Sequence, residues 1–136
     1  MNGNVDSESL ICFMSNTVKI KTNPKYIPER SDETKPIYFF SYHIIIINNG
    51  EEPVQLISRY WHIIDGQGNS EDVRGPGVVG QTPIILPSQS FDYTSFCPLK
   101  TPVGFMEGSY RMKKQSGEEF DAIIDRFRLV VPGFMN

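Results

Sequence analysis

Apolar and polar residues alternate with a period of two along most of this chain, and the period near 3.6 that marks amphipathic helices is nearly absent. Thr17-Val18-Lys19-Ile20-Lys21-Thr22 turns Val18 and Ile20 inward and both lysines to water. A polar, proline-containing connection, Tyr26 to Lys35, leads to the strongest predicted strand, Ile37 to Asn48. Its even face, Tyr38, Phe40, Tyr42, Ile44 and Ile46, is apolar throughout, and Phe39, Ile45 and Ile47 weight the odd face as well. Such a strand is expected to be central and covered on both sides for part of its length.

Further strands are predicted at Val54 to Asp65, around Ser70 to Arg74, at Thr82 to Leu86, Ser90 to Ser95, Met106 to Lys114 and Glu119 to Val131. In the first of these, Ile57, Trp61 and Ile63 read as the core face, with Arg59 an awkward member. Asn48 to Pro53, Asp65 to Asn69 and Gln115-Ser116-Gly117 carry turn chemistry, while Cys97 to Gly104, with two prolines, reads as a long connection. About seven short strands separated by turn signals predict an all-β antiparallel sandwich with Trp61 in its core.

Length agrees with one such domain: 136 residues hold one core and no second. Residues 15–132 are expected to form it, with 1–14 and 133–136 as terminal tails. The formal charge of −3 supplies no global basic field, so nucleic acid is not an expected partner. The longest aliphatic run, Ile44 to Ile47, is far short of a bilayer span, and the acidic N-terminal flank lacks a secretory pattern. The expected location is cytoplasmic, where Cys12 and Cys97 read as small apolar residues rather than a disulfide.

Candidate chemistry is thin. Gly75-Pro76-Gly77-Val78-Val79-Gly80 spells G-x-G-x-x-G, but Pro83 stands where the required helix should already be under way, so a dinucleotide site is excluded by context. Two readings stay open. The glycines serve a bend, bulge or crossover between sheets anchored by Val78 and Val79, or Arg74, Gly75, Gly77 and Gly80 form an anion-binding nest. His43 and His62 fall on outer faces, where adjacent strands would set both imidazoles side by side as a weak chelate. With no third soft ligand in view, neither a metal site nor a cofactor is expected. No G-x-S-x-G elbow is present, nothing near Cys97 activates its thiol, and Glu107 and Asp121 read as solvated strand charges, so no catalytic residue is assigned. Lys19 with Lys21, and Arg126 with Arg128, make small basic patches; Tyr26, Tyr60 and Phe105 are candidate exposed aromatics.

The residues also resemble the ApaG domain family. The likeness runs through Ser58 to Ile63, Val73 to Gly80, Phe91 to Ser95, Cys97 to Gly104, Met106 to Tyr110 and Phe127 to Leu129, in one order and without a large insertion. Cys97-Pro98-Leu99-Lys100-Thr101-Pro102 is similar to the free-standing bacterial form, while Phe96 and Phe105 are bulkier than the pattern leads one to expect. The resemblance implies an immunoglobulin- or fibronectin type III-like sandwich of seven to eight strands. It also implies no established enzyme activity, an association with cobalt tolerance and magnesium efflux, and suspected phosphate binding at the glycine-rich loop. Two functions are carried forward: a non-enzymatic module acting through a protein partner, and a binder of a phosphate-containing small ligand at Arg74–Gly80.

Overall fold

The computed structural model describes residues 17–134; the expected tail at 1–14, and Cys12, lie outside the described residues. Eight strands follow one another: β1 (Val18–Tyr26), β2 (Tyr38–Asn48), β3 (Val54–Asp65), β4 (Ser70–Pro76), β5 (Ile84–Ile85), β6 (Ser90–Leu99), β7 (Val103–Lys114) and β8 (Glu119–Val130). One three-residue helical turn, Pro28–Arg30, interrupts the β1–β2 connection. A three-stranded sheet runs β1-β2-β6, and a larger one runs β4-β3-β7-β8 with β5 also paired to β3; every pairing is antiparallel.

Alternation explains the core. Phe40, Tyr42, Ile44 and Ile46 of β2 and Tyr93, Cys97 and Leu99 of β6 face Leu56, Trp61, Met106, Tyr110, Met112, Ile124 and Leu129 of the larger sheet. The layers meet through aromatic edges, with Tyr42 T-shaped against Trp61 at 5.2 Å. The Tyr93 and Tyr110 hydroxyls hydrogen-bond to each other across the gap, which satisfies two otherwise costly buried groups. Burial keeps both phenols protonated far above their ordinary range and pushes the Cys97 thiol up to about 12, so it is an inert core residue.

Three local expectations need correction, and a second bulge adds to them. β2 is central in its sheet, yet its odd face is half-buried, with no second layer over it among the described residues. In β3 the register shifts between Leu56 and Ser58, so the extra residue Ile57 leaves the core line: Val54 and Leu56 point inward before it, Trp61 after it. A second shift, between Met106 and Gly108, puts an additional residue into β8 and hands the core face from Ala122 and Ile124 to Phe127 and Leu129. Finally, β6 runs on through Cys97 and Pro98 to Leu99, which an edge strand permits because proline's missing N–H faces no partner there.

Candidate functional site

β4 and β5 both lie along the edge of β3 opposite β7, and residues 77–83 join them beside the Ile57 bulge. The glycine-rich segment is therefore a bend within one sheet, and the passage to the other sheet comes later, between β5 and β6. Gly77 N–H donates to the Ile57 carbonyl at 2.8 Å, and Leu56 N–H to Pro83 at 3.0 Å, which sews the bend to the bulge. Val78 and Gln81 exchange both backbone hydrogen bonds around Val79 (φ 42) and Gly80 (φ 78), giving the two positive torsions of a type I′ turn. Val78 is fully buried, but Val79, expected beside it as a second anchor, is 52% exposed at the turn's tip.

Gly77 is required twice over: its φ is 57, and a Cβ there would collide with the Gln81 carbonyl oxygen. Gly75 makes room for Arg59, since a Cβ would come within 2.8 Å of the Arg59 Nη2. Arg59 in turn donates from Nη1 to the carbonyls of Pro76 at 2.8 Å and Gly77 at 3.0 Å. The cation that looked misplaced on a core face thus fastens the loop from inside. A lone arginine amid apolar alternation, opposite a run of glycines, was the available signal.

Arg74 points the other way. Its guanidinium stacks over Tyr60 at 4.2 Å, on the outer face of the larger sheet. Beside it lies an open depression of about 530 Å³, lined by Arg59, Tyr60, Arg74, Ser109, Arg111 and Asp121 among others. Asp72 is the hub of the neighbouring polar group: Tyr60 O–H donates to its Oδ1 at 2.9 Å, and His62 Nδ1 lies 2.7 Å from the same oxygen. These contacts, His62 first, hold the Asp72 carboxyl below the usual carboxylate range. Arg126 grips Glu107 with two hydrogen bonds at 3.1 and 3.2 Å, and Arg111 reaches Glu119 and Asp121. This face is a lattice of paired charges around Ile123, which is 64% exposed.

A depressed folded-state pKa stabilises the fold above the unfolded value, and that stabilisation is lost as pH falls through the folded value. Asp72 should therefore titrate below an ordinary aspartate when followed by carboxyl-carbon NMR. His62→Gln together with Tyr60→Phe should return it toward the ordinary value; an unmoved titration would show that these contacts do not set it.

His43 and His62 are not neighbours. His43 lies on β2 in the smaller sheet, 2.8 Å from Asp92, and His62 on β3 in the other sheet, so the surface chelate does not form. Among the described residues, no group of three or more His, Cys, Asp or Glu is placed to hold a metal ion. The proposed exposed aromatics Tyr26, Tyr60 and Phe105 are half-buried, and Phe96 at 50% and Phe134 at 54% exposure are outward rings missed. Among the described residues, no helix is long and apolar enough to cross a membrane.

These features define a class: a small two-sheet antiparallel β-sandwich that presents its polar groups on open strand faces. The chain belongs to the ApaG domain family, whose model matches residues 28–114. The Protein ApaG of Mesorhizobium japonicum is 48% identical over 120 residues, spanning 88% of this chain and 92% of its own. That of Anaeromyxobacter dehalogenans is 48% identical over 119 residues, spanning 88% and 94%. A structural-genomics X-ray structure superposes with a TM-score of 0.86 at 43% identity, over 90% of this chain and 93% of that one. A Bordetella pertussis crystal structure gives 0.84 at 43% identity, over 85% and 94%. The relatives' name carries no reaction.

Proposed function

We propose that this protein is a non-enzymatic, cytoplasmic interaction module that acts by binding a protein partner. The observation that carries this reading is a set of large apolar side chains standing half or more exposed on the outer faces of a well-packed domain: Phe96 on the smaller sheet, Ile84 and Ile123 on the larger. Its strongly perturbed groups, Tyr93, Tyr110 and Cys97, are walled inside the core, where they serve packing rather than turnover. The link of ApaG proteins to cobalt tolerance and magnesium efflux is then indirect, passing through the partner. Affinity purification from cells should recover one stoichiometric protein with the wild type, and Phe96→Asp or Ile123→Asp should lose it. Equal recovery by all three would refute the reading.

A second reading has its own support: Arg74 and Arg111 flank the depression beside the glycine-rich bend, with Asp121 the one acidic residue lining it. There, Arg74 supplies charge to a phosphate-sized anion while Gly75 lines the site and Gly77 and Gly80 hold the bend behind it. Calorimetry with pyrophosphate should show binding that Arg74→Ala abolishes while stability changes by no more than about 0.5 kcal/mol, as for most exposed substitutions. No heat at millimolar ligand would end it.

A further inference from the structure

The outer face of the smaller sheet differs in charge from that of the larger. On the larger sheet, Arg111 and Arg126 each have carboxylate partners. On the smaller, Lys19, Lys21 and Lys25 project from β1 at alternate outward positions, and among the described residues none has a carboxylate within ion-pair distance. Asp92 is the only acid on the outward positions of β1, β2 and β6, and His43 already engages it. In a chain with a formal charge of −3, the smaller sheet's outer face thus sets three lysines against one carboxylate, whereas on the larger sheet the cations stand among Asp72, Glu107, Glu119 and Asp121.

Beside the lysines runs an apolar stripe. Ile45 and Ile47, half-buried on β2, pair directly with Lys21 and Lys19, and Phe39 and Phe96 meet at 5.6 Å further along the same face. The Arg30 guanidinium lies 4.1 Å above Phe39 and 5.4 Å from Phe96, adding a fourth cation. Lysines on an edge strand can simply discourage unwanted pairing. That role does not call for an isoleucine and phenylalanine stripe next to them with no layer of described residues over it.

Resting on the protein-binding reading above, we propose that this face docks an acidic polypeptide segment bearing apolar side chains. Its carboxylates meet the β1 lysines and Arg30, while its apolar residues cover Ile45 and Phe96. Charge complementarity selects the acid. The aliphatic character of the stripe, and the guanidinium already stacked on Phe39, favour alkyl side chains over nucleic-acid bases, which need free aromatic faces.

The test uses the full-length protein and a short fluorescent peptide alternating Glu or Asp with Leu or Phe. Anisotropy should report binding that weakens with salt, and amide shifts should cluster at Lys21, Ile45 and Phe96. The triple variant Lys19→Glu, Lys21→Glu, Lys25→Glu should weaken affinity by about ten-fold or more, since like charges then face each other. Phe96→Ser should do the same, with circular dichroism confirming the fold of each. Absence of binding, an equal affinity for the peptide with Lys in place of its acids, or stronger binding of single-stranded DNA or phosphatidylserine vesicles would overturn the proposal. Should the cellular partner be retained by the triple-lysine variant but lost with Ile123→Asp, the protein-binding function stands and this docking face does not. Should no partner be recovered at all, the function itself fails.

Discussion

Replacing Trp61 with alanine should lower the unfolding free energy by about 3–5 kcal/mol, through lost transfer energy plus the cavity left behind. Trp61 is 2% exposed and meets Tyr42 of the opposite sheet as well as Tyr110 and Phe127 of its own, at 5.2, 6.3 and 5.9 Å. With Phe127, it is one of the rings on which Tyr42 of the other layer rests. Across the ladder it faces Gly108, which has no side chain to move into the space. Chemical denaturation should show a lowered midpoint with an unchanged slope. A loss near that of a single methylene would mean the sheets do not meet around this residue.

Gly108→Ala should be nearly as damaging, although it adds one carbon. The new Cβ would land on the Tyr60 carbonyl oxygen, which is backbone within the β3–β7 ladder and cannot rotate aside. The cost should reach about 2–3 kcal/mol, the scale of an overpacked site with no soft neighbour. Gly68→Ala is the control. Its φ of 88 is strained for alanine, but the space around it is open, so about 1 kcal/mol is expected from the left-handed torsion alone. Equal losses at the two positions would show that conformational preference, not contact, governs Gly108.

The candidate site was legible in parts. Arg74 and the three glycines stood out because glycine clusters and a flanking cation are local features of the chain. Arg59 was visible only as a misfit, since its meaning depends on carbonyls 17 and 18 residues further along. Asp72 gave no signal at all: it joins Tyr60 and His62 only once β3 and β4 pair. Lys19 and Lys21 were legible as outward residues, Lys25 was not, and their isolation became evident only when β2 and β6 supplied a single acid across the whole sheet.

Alternation by itself determined that this is an all-β protein, where most strands run, and that Trp61 is interior. That follows because successive side chains on a strand point to opposite faces, a relation set between adjacent residues. Tertiary structure alone decided which sheet each strand joins, and so why His43 and His62 never meet. It also decided where the inward face changes parity, at Ile57 in β3 and near Arg126 in β8. Strand partners and bulges are chosen by how two distant surfaces bury each other, and a period of two is the same on either side of a sheet.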